Sequence, residues 1–223
     1  MATIDGTLNQ DTYITGYQPT TNQNGNTLLL GDHGGSDQAR GLFKFTLPAN
    51  PGSATITDVV VKLYLSGGNG TSAVDFNIYN GTSTPATTWV DSQATWNIYK
   101  TSTNWTASGG FSDFVSTILG KWTSDTSIIT GYKDFAVQGS GAINPLSLNW
   151  GDTVNFMVRA PSSAGTNRYF DSSSQTNPPK ITVTYTVGAT SHIKSADGIL
   201  IANIKSADGI LIANIKSWNG ITN

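Results

Sequence analysis

The stretch TDVVVKLYL, residues 57–65, carries the strongest indication of the fold. β-Branched and aliphatic side chains dominate it, and its apolar positions recur at a period of two, which is typical of a β-strand with one buried face. Because it is the longest stretch of this kind, we expect it to form a central strand. The period predicts that Val59, Val61 and Leu63 point into a core.

The same alternation recurs along residues 1–187. In the segment GLFKFTL, residues 41–47, Phe43 and Phe45 fall on one face, and we expect both in the core. Val183, in a late strand, is expected to join them. Strands from both ends of this region would then meet in one core.

Helical spacing of apolar side chains occurs only in FSDFVSTIL, residues 111–119. One short helix among many strands predicts an all-β fold, an antiparallel jelly-roll-like β-sandwich. Asn80 and Gly81 follow a short strand at 76–79 and predict a hairpin. Further strands are predicted at 11–15, 134–137, 153–159 and 181–187.

Composition agrees with a β-rich fold and excludes several classes of function. Ser, Thr and Asn make up about a third of the chain and disfavour long helices. The net charge is −2 and the 12 Lys and Arg residues are widely spaced, which argues against a nucleic-acid partner. No apolar run approaches the roughly 20 residues of a spanning helix, so we expect no membrane insertion.

Three tryptophans, Trp89, Trp96 and Trp105, lie in the segment 88–110. Exposed tryptophan rings stack on the apolar faces of sugars, so these residues are candidates for carbohydrate binding. Alternatively, they fill the space between sheets and anchor long loops. The sequence leaves both interpretations open.

Motifs for catalysis are missing. The chain has no cysteine, and neither His33 nor His192 lies in a zinc-binding motif. No nucleophile elbow or phosphate-binding loop is present. We therefore expect no enzyme activity, no catalytic residues, no metal site and no cofactor. Asp32, His33 and Asp37 would at most bind Ca²⁺ weakly, and a solvated turn is the simpler interpretation.

Several spaced motifs occur within residues 8–187, at 11–14, 40–45, 54–64, 88–110, 168–174 and 178–185. Together they resemble DNRLRE domains. The resemblance implies a jelly-roll sandwich related to carbohydrate-binding modules, of a kind found on bacterial and archaeal surface proteins and on some virion proteins. The chain departs from the family pattern where Asp91 replaces a glutamate and where Ser173 and Ser174 replace an Arg-Glu pair.

The pattern changes after residue 187. The segment IKSADGILIAN at 193–203 repeats identically at 204–214, and an altered copy starts at 215. Each copy contains an Asp-Gly or Asn-Gly turn, which predicts a small β-meander. A flexible tag is the alternative. A meander of this size is marginal alone, so we expect its apolar residues to form an assembly interface. These residues are Ile199, Ile201, Ile204, Ile210, Ile212, Ile215 and Trp218.

These observations predict a β-sandwich at 1–187 and an assembly tail at 188–223. Residues 1–10, MATIDGTLNQ, resemble no signal peptide, so we expect assembly in a host cytoplasm. A chain from which a leader has been removed is the alternative. The favoured interpretation is a bacteriophage structural protein on the virion surface, as capsid decoration or part of a fibre. Its partners would be the major capsid protein and further copies of itself, for example in a trimer, with glycans as ligands. The alternative is an extracellular carbohydrate-binding module of a bacterial surface protein or polysaccharide-active enzyme. A cell-surface adhesion unit is a third option.

Overall fold

The computed structural model describes residues 1–25, 27–32, 38–70, 72–160 and 165–188, and the backbone of six short strands beyond them. The chain divides into two compact units, Met1–Thr186 and Val187–Asn223. Within these residues, no helix has both the length and the apolar character needed to cross a membrane.

The first unit consists almost entirely of β-strands. Its helical elements are α1 (Thr84–Thr88), capped by the Ser83 side chain, and a 3₁₀ turn at Phe111–Asp113. Its strands are β1 (Ala2–Asp5), β2 (Thr7–Thr15), β3 (Leu28–Asp32), β4 (Gln38–Thr46), β5 (Ala54–Asn69), β6 (Asp75–Asn80), β7 (Ile98–Lys100), β8 (Thr103–Asn104), β9 (Gly120–Thr123), β10 (Gly131–Gln138), β11 (Thr153–Arg159), β12 (Asn167–Phe170) and β13 (Lys180–Val187).

Except for the β7–β8 pair, these strands form one strongly curled sheet. Its order is β1-β13-β5-β12-β3-β4-β11-β6-β9, with β10 added on β5 and β2 on β4. We call β1, β13, β5 and β10 the open layer, and β2, β4, β11, β6 and β9 the covered layer. The two layers face each other, and β12 and β3 join them. The predicted all-β sandwich is confirmed.

Strand β5 belongs to the open layer and also pairs with β12, which leads to the covered layer. This strand pairs with β10 through residues 59–65 and with β12 through residues 65–69, with a register shift opposite Tyr169 and Phe170. Gly68 has a φ of +155°, and a Cβ there would lie 2.6 Å from the Asn167 carbonyl oxygen. Glycine therefore permits the close approach that carries β5 from one layer towards the other.

The main core lies between the layers. All six residues predicted for it have no exposed surface: Phe43, Phe45, Val59, Val61, Leu63 and Val183. Phe135 of β10 pairs with Val61 and adds to the same core. The period-two prediction is confirmed for both layers.

A second core lies on the opposite face of the covered layer. Leu42 of β4, Tyr79 of β6 and Met157 of β11 point away from the main core. Residues 82–118, which we call the covering segment, pack over them. The buried residues that the segment contributes are Ala86, Trp89, Ala94, Tyr99, Trp105 and Phe114. The sequence did not predict this third layer.

Two local predictions are wrong. The helix expected at 111–119 is limited to the turn Phe111–Asp113, because the following backbone bonds to the edge of β6 instead: Phe114 bridges Gly81 and the Leu119 N–H donates to the Ile78 carbonyl oxygen at 3.0 Å. No hairpin forms at Asn80 and Gly81, because the chain continues there into the covering segment.

The second unit contains three short hairpins, one in each repeat. Ala196 pairs with Ile199, Ala207 with Ile210, and Trp218 with Ile221. The predicted meander would also pair strands of neighbouring repeats, whereas the described strands pair only within a repeat. They are β14 (Ser195–Ala196), β15 (Ile199–Leu200), β16 (Ser206–Ala207), β17 (Ile210–Leu211), β18 (Ser217–Trp218) and β19 (Ile221–Thr222).

Candidate functional site

The three tryptophans proposed for sugar binding have different environments. Trp89 has no exposed surface and Trp105 is 4% exposed, so neither ring offers a free face to a sugar. The Trp105 indole Nε1 donates to the Thr95 carbonyl oxygen at 2.9 Å, which fixes the ring within the covering segment. Both residues serve the packing role that the sequence left as the alternative. Trp96 is half-buried and reaches the surface.

Beside Trp96, two arginines lie next to each other on adjacent strands. Val158 pairs with Gly41, so the next residues along, Arg159 of β11 and Arg40 of β4, come side by side. Both side chains lie on the same face of the sheet as the second core, at the edge of that core. Asn77 of β6 pairs with Arg159 and extends the row to a third strand. We call Arg40, Arg159, Trp96 and Phe111 the arginine site.

Aromatic rings hold the two guanidinium groups. The Arg40 Cζ lies 4.5 Å from the Trp96 ring centroid, and the Arg159 Cζ lies 3.8 Å from that of Phe111. Phe111 also lies 5.8 Å from the Arg40 Cζ, so its ring contacts both cations. Such contacts orient a guanidinium and leave its edge free to donate hydrogen bonds.

Positive charge at the arginine site lacks a counter-charge. The ion pairs among the described residues, Lys62–Asp134 and Lys121–Asp75, involve neither arginine. Burial, followed by the nearby charge of Arg159, lowers the pKa of Arg40 to about 10. Arg40 therefore stays protonated at neutral pH at an electrostatic cost, which an anion would reduce.

Several polar atoms of this region also lack partners. Arg40 donates from Nη1 to the Gly109 carbonyl oxygen and from Nη2 to Gln38 Oε1 at 2.9 Å. Its Nε, the Arg159 Nε and the Asn77 Oδ1 are buried and form no hydrogen bond within the described part of the chain. Buried polar groups are usually paired, so three unpaired polar atoms in one row are unusual.

Sequence reasoning missed both arginines, although a signal was present. Arg40 lies on the same face of β4 as Leu42, and Arg159 lies on the same face of β11 as Met157. Once Leu42 and Met157 are known to face a second core, a charge two positions away on each strand indicates a candidate functional site. Because the sequence alone does not reveal that core, it gives no reason to distinguish the two arginines from ordinary surface charges.

The other sequence candidates lie elsewhere. Asp32 Oδ2 accepts a hydrogen bond from the Gly165 N–H at 2.8 Å, whereas His33 and Asp37 fall outside the described residues. No cluster of three or more potential metal ligands occurs in the described ranges. Of the tail interface, only the backbone of Ile199, Ile210 and Trp218 is described. Ile201, Ile204, Ile212 and Ile215 lie outside the described residues.

Comparison with known proteins gives one family match. The model of Carbohydrate-binding module family 96 matches residues 2–109. That range includes Arg40 and Trp96, whereas Phe111 and Arg159 follow it. No curated protein matches the chain. The match supports a family resembling carbohydrate-binding modules, and the likeness to DNRLRE domains and phage repeats stays a prediction.

Proposed function

We propose that this chain is a non-catalytic carbohydrate-binding protein whose arginine site binds an acidic polysaccharide. The observation that carries the proposal is the pair Arg40 and Arg159, which lie side by side and have no carboxylate partner among the described residues. The similarity of residues 2–109 to a carbohydrate-binding module supports a glycan as the ligand. The two positive charges favour a glycan that bears carboxylate or sulfate groups.

The chemistry of the site suits such a ligand. Guanidinium groups bind carboxylates and sulfates through two parallel N–H donors, and these charge-assisted bonds are stronger than neutral ones. The Arg159 side chain is half-buried and forms no hydrogen bond among the described residues. Its Nε is buried, whereas its Nη groups are available to a ligand. The exposed parts of Trp96 and Phe111 would contact the apolar C–H face of the sugar.

Binding to polygalacturonate and to its methyl ester tests the proposal, because the two polymers share a backbone and differ in charge. We expect the wild-type protein to bind the free acid and to lose affinity with rising salt. Arg159→Gln should weaken binding at least about tenfold, since bonds to charged groups contribute about 1.5–3 kcal/mol. Isothermal titration calorimetry measures both effects.

Lys62→Gln is the matched control. It removes the same charge from an exposed ion pair on the open layer and should leave binding within about twofold, since such pairs contribute little. Equal binding of the acid and the ester, or equal losses in both variants, would contradict the proposed site.

For the setting of this activity, we propose the surface of a bacteriophage virion, with the tail attaching the sandwich to the particle. The supporting observation is the 11-residue repeat, in which each copy forms a hairpin too small to be stable alone. Contacts with the major capsid protein or with further copies of this chain, as in a trimer, would bury the seven apolar tail residues named above. An extracellular bacterial surface protein is the alternative setting.

Truncation after Gly188 tests the role of the tail. We expect a folded sandwich that keeps its glycan binding but no longer oligomerises or co-purifies with particles. Light scattering after size exclusion and a particle-binding assay measure these outcomes. An unchanged oligomeric state and unchanged attachment would show that the tail is a passive appendage.

A further inference from the structure

A groove with a different chemistry lies at the start of β5. Its volume is about 250 Å³, and its lining includes Trp150, Ile56 and Leu148 together with Thr55, Gln138 and Asn149. We call it the Trp150 groove. Trp150 comes just before β11 in the chain, and Arg159 is the last residue of that strand. At roughly 3.4 Å per residue, β11 spans about 20 Å. The groove and the arginine site are therefore at opposite ends of one strand.

An aromatic corner forms one wall of the groove. Trp150 is half-buried, and its indole Nε1 donates to the Ala54 carbonyl oxygen at 2.8 Å. The Tyr185 ring meets the Trp150 ring edge to face, at 5.4 Å between centroids and 78° between planes. These contacts hold the indole in one orientation, with part of its surface open to the groove.

The polar groups of the groove are neutral and largely unused. Gln138 accepts a hydrogen bond at Oε1 from the Leu148 N–H at 2.8 Å, which leaves its Nε2 free to donate. The side chains of Thr55 and Asn149 form no hydrogen bond within the ranges that the structure describes. No charged residue lines the groove. It therefore offers an apolar wall and uncharged donors and acceptors, with nothing to bind an acidic group.

We propose that the Trp150 groove is a second sugar site that takes a single neutral hexose unit of a polysaccharide. A hexose has an apolar C–H face for the indole and hydroxyl groups for Thr55, Gln138 and Asn149. The volume lies below the range of about 300–1,000 Å³ of pockets for drug-sized ligands, which suits one sugar unit. This inference rests on the proposed carbohydrate-binding function, but it assigns a different sugar chemistry to a different surface.

Nuclear magnetic resonance tests the site with three neutral probes: hexasaccharides of β-1,4-glucan, β-1,4-mannan and β-1,4-galactan. We expect at least one probe, at millimolar concentration, to shift the Trp150 indole N–H signal, assigned through Trp150→Phe, and to leave the Trp96 signal in place. The double variant Thr55→Ala, Asn149→Ala should weaken binding of that probe at least about fivefold, because the groove loses two hydrogen-bonding side chains. Both side chains are exposed, so the variant should fold normally.

Arg159→Gln separates this proposal from the preceding one. It should weaken polygalacturonate binding at least about tenfold and leave binding of the neutral probe at Trp150 unchanged. If none of the three probes shifts the Trp150 signal, or if the double variant binds like wild type, the second site is refuted while the arginine site stands. If a neutral probe binds at Trp150 but polygalacturonate binds nowhere, the groove is supported and the arginine site fails.

Discussion

The two layers of the sandwich share one core but differ on their outer faces. In the open layer, β5 buries Val59, Val61 and Leu63, whereas the intervening Lys62 and Tyr64 are half-buried on the outside. In the covered layer, the middle of β11 is buried on both faces, because the covering segment closes the outer one.

This difference is the reason why we place the proposed site on the covered layer. The open layer follows the ordinary pattern of apolar side chains inside and polar ones outside. The covered layer places Arg40 and Arg159 at the edge of a second core, where low polarity strengthens their interaction with an anion. An outer face with its own core can hold charged side chains in fixed positions.

The largest expected effect comes from removing an aromatic ring from the second core. Trp89→Ala should lower the free energy of unfolding by about 3–5 kcal/mol, because the ring is fully buried and leaves a cavity. Tyr64→Ala on the open layer should cost only about 1–2 kcal/mol, since that ring is half-buried. Urea denaturation measures both, and similar costs would show that the covering segment adds little stability.

A matched pair of aspartates gives the next largest effect. Asp113 accepts hydrogen bonds from the Thr106 N–H at 3.0 Å and the Thr106 Oγ1 at 2.6 Å, which fix the covering segment. Asp113→Ala should cost about 2–3 kcal/mol, because buried bonds to a charged group are lost. Asp134→Ala removes an exposed ion pair with Lys62 and should cost about 0–1 kcal/mol. Thermal unfolding measures the stability of both variants. A larger loss in Asp134→Ala than in Asp113→Ala would contradict the comparison.

The smallest expected effect is a dependence on pH in the covered layer. Burial raises the pKa of Asp11 above its ordinary value of 3.8, although the hydrogen bond from the Ser173 N–H at 2.9 Å opposes the change. A raised carboxyl pKa means that ionisation destabilises the fold, and this cost develops as pH rises from 3.8 through the folded-state value. Asp11→Asn should therefore gain stability relative to wild type as pH rises.

Asp75→Asn should show the opposite slope. Hydrogen bonds from Lys121 and Thr123 lower the pKa of Asp75, so its contribution to stability is present above 3.8 and is lost as pH falls through the folded-state value. The Asn variant should therefore be less stable than wild type at pH values above 3.8, and this difference should disappear as pH falls through the folded-state pKa. Unfolding midpoints in urea across acid and neutral pH measure both slopes, and parallel curves would contradict the assigned environments.

The sequence predicted the open layer more completely than the covered one. Period two in TDVVVKLYL identified a central strand with one buried face, and the structure confirms it. The continuous apolar run Phe156, Met157 and Val158 was a sign of burial on both faces, but it does not indicate which segment covers the outer one. That depends on the long-range packing of Trp89 and Trp105, which have no local periodicity. The spacing at 111–119 was misleading because Phe111 and Phe114 reach the second core from a turn and an extended chain.

The arginine side chains allow the most direct test of the proposed site. The chain has three arginines, and the Nε of each is buried and unpaired within the described residues. Arg168, with no exposed surface, bonds to the carbonyl oxygens of Asn69 and Asp125 and serves as an internal control. On titration of ¹⁵N-labelled protein with polygalacturonate oligosaccharides, the Nε–H signals of Arg40 and Arg159 should move while that of Arg168 stays in place. Signals that all stay in place, or an Arg168 signal that moves as far as the other two, would contradict acidic glycan binding at the arginine site.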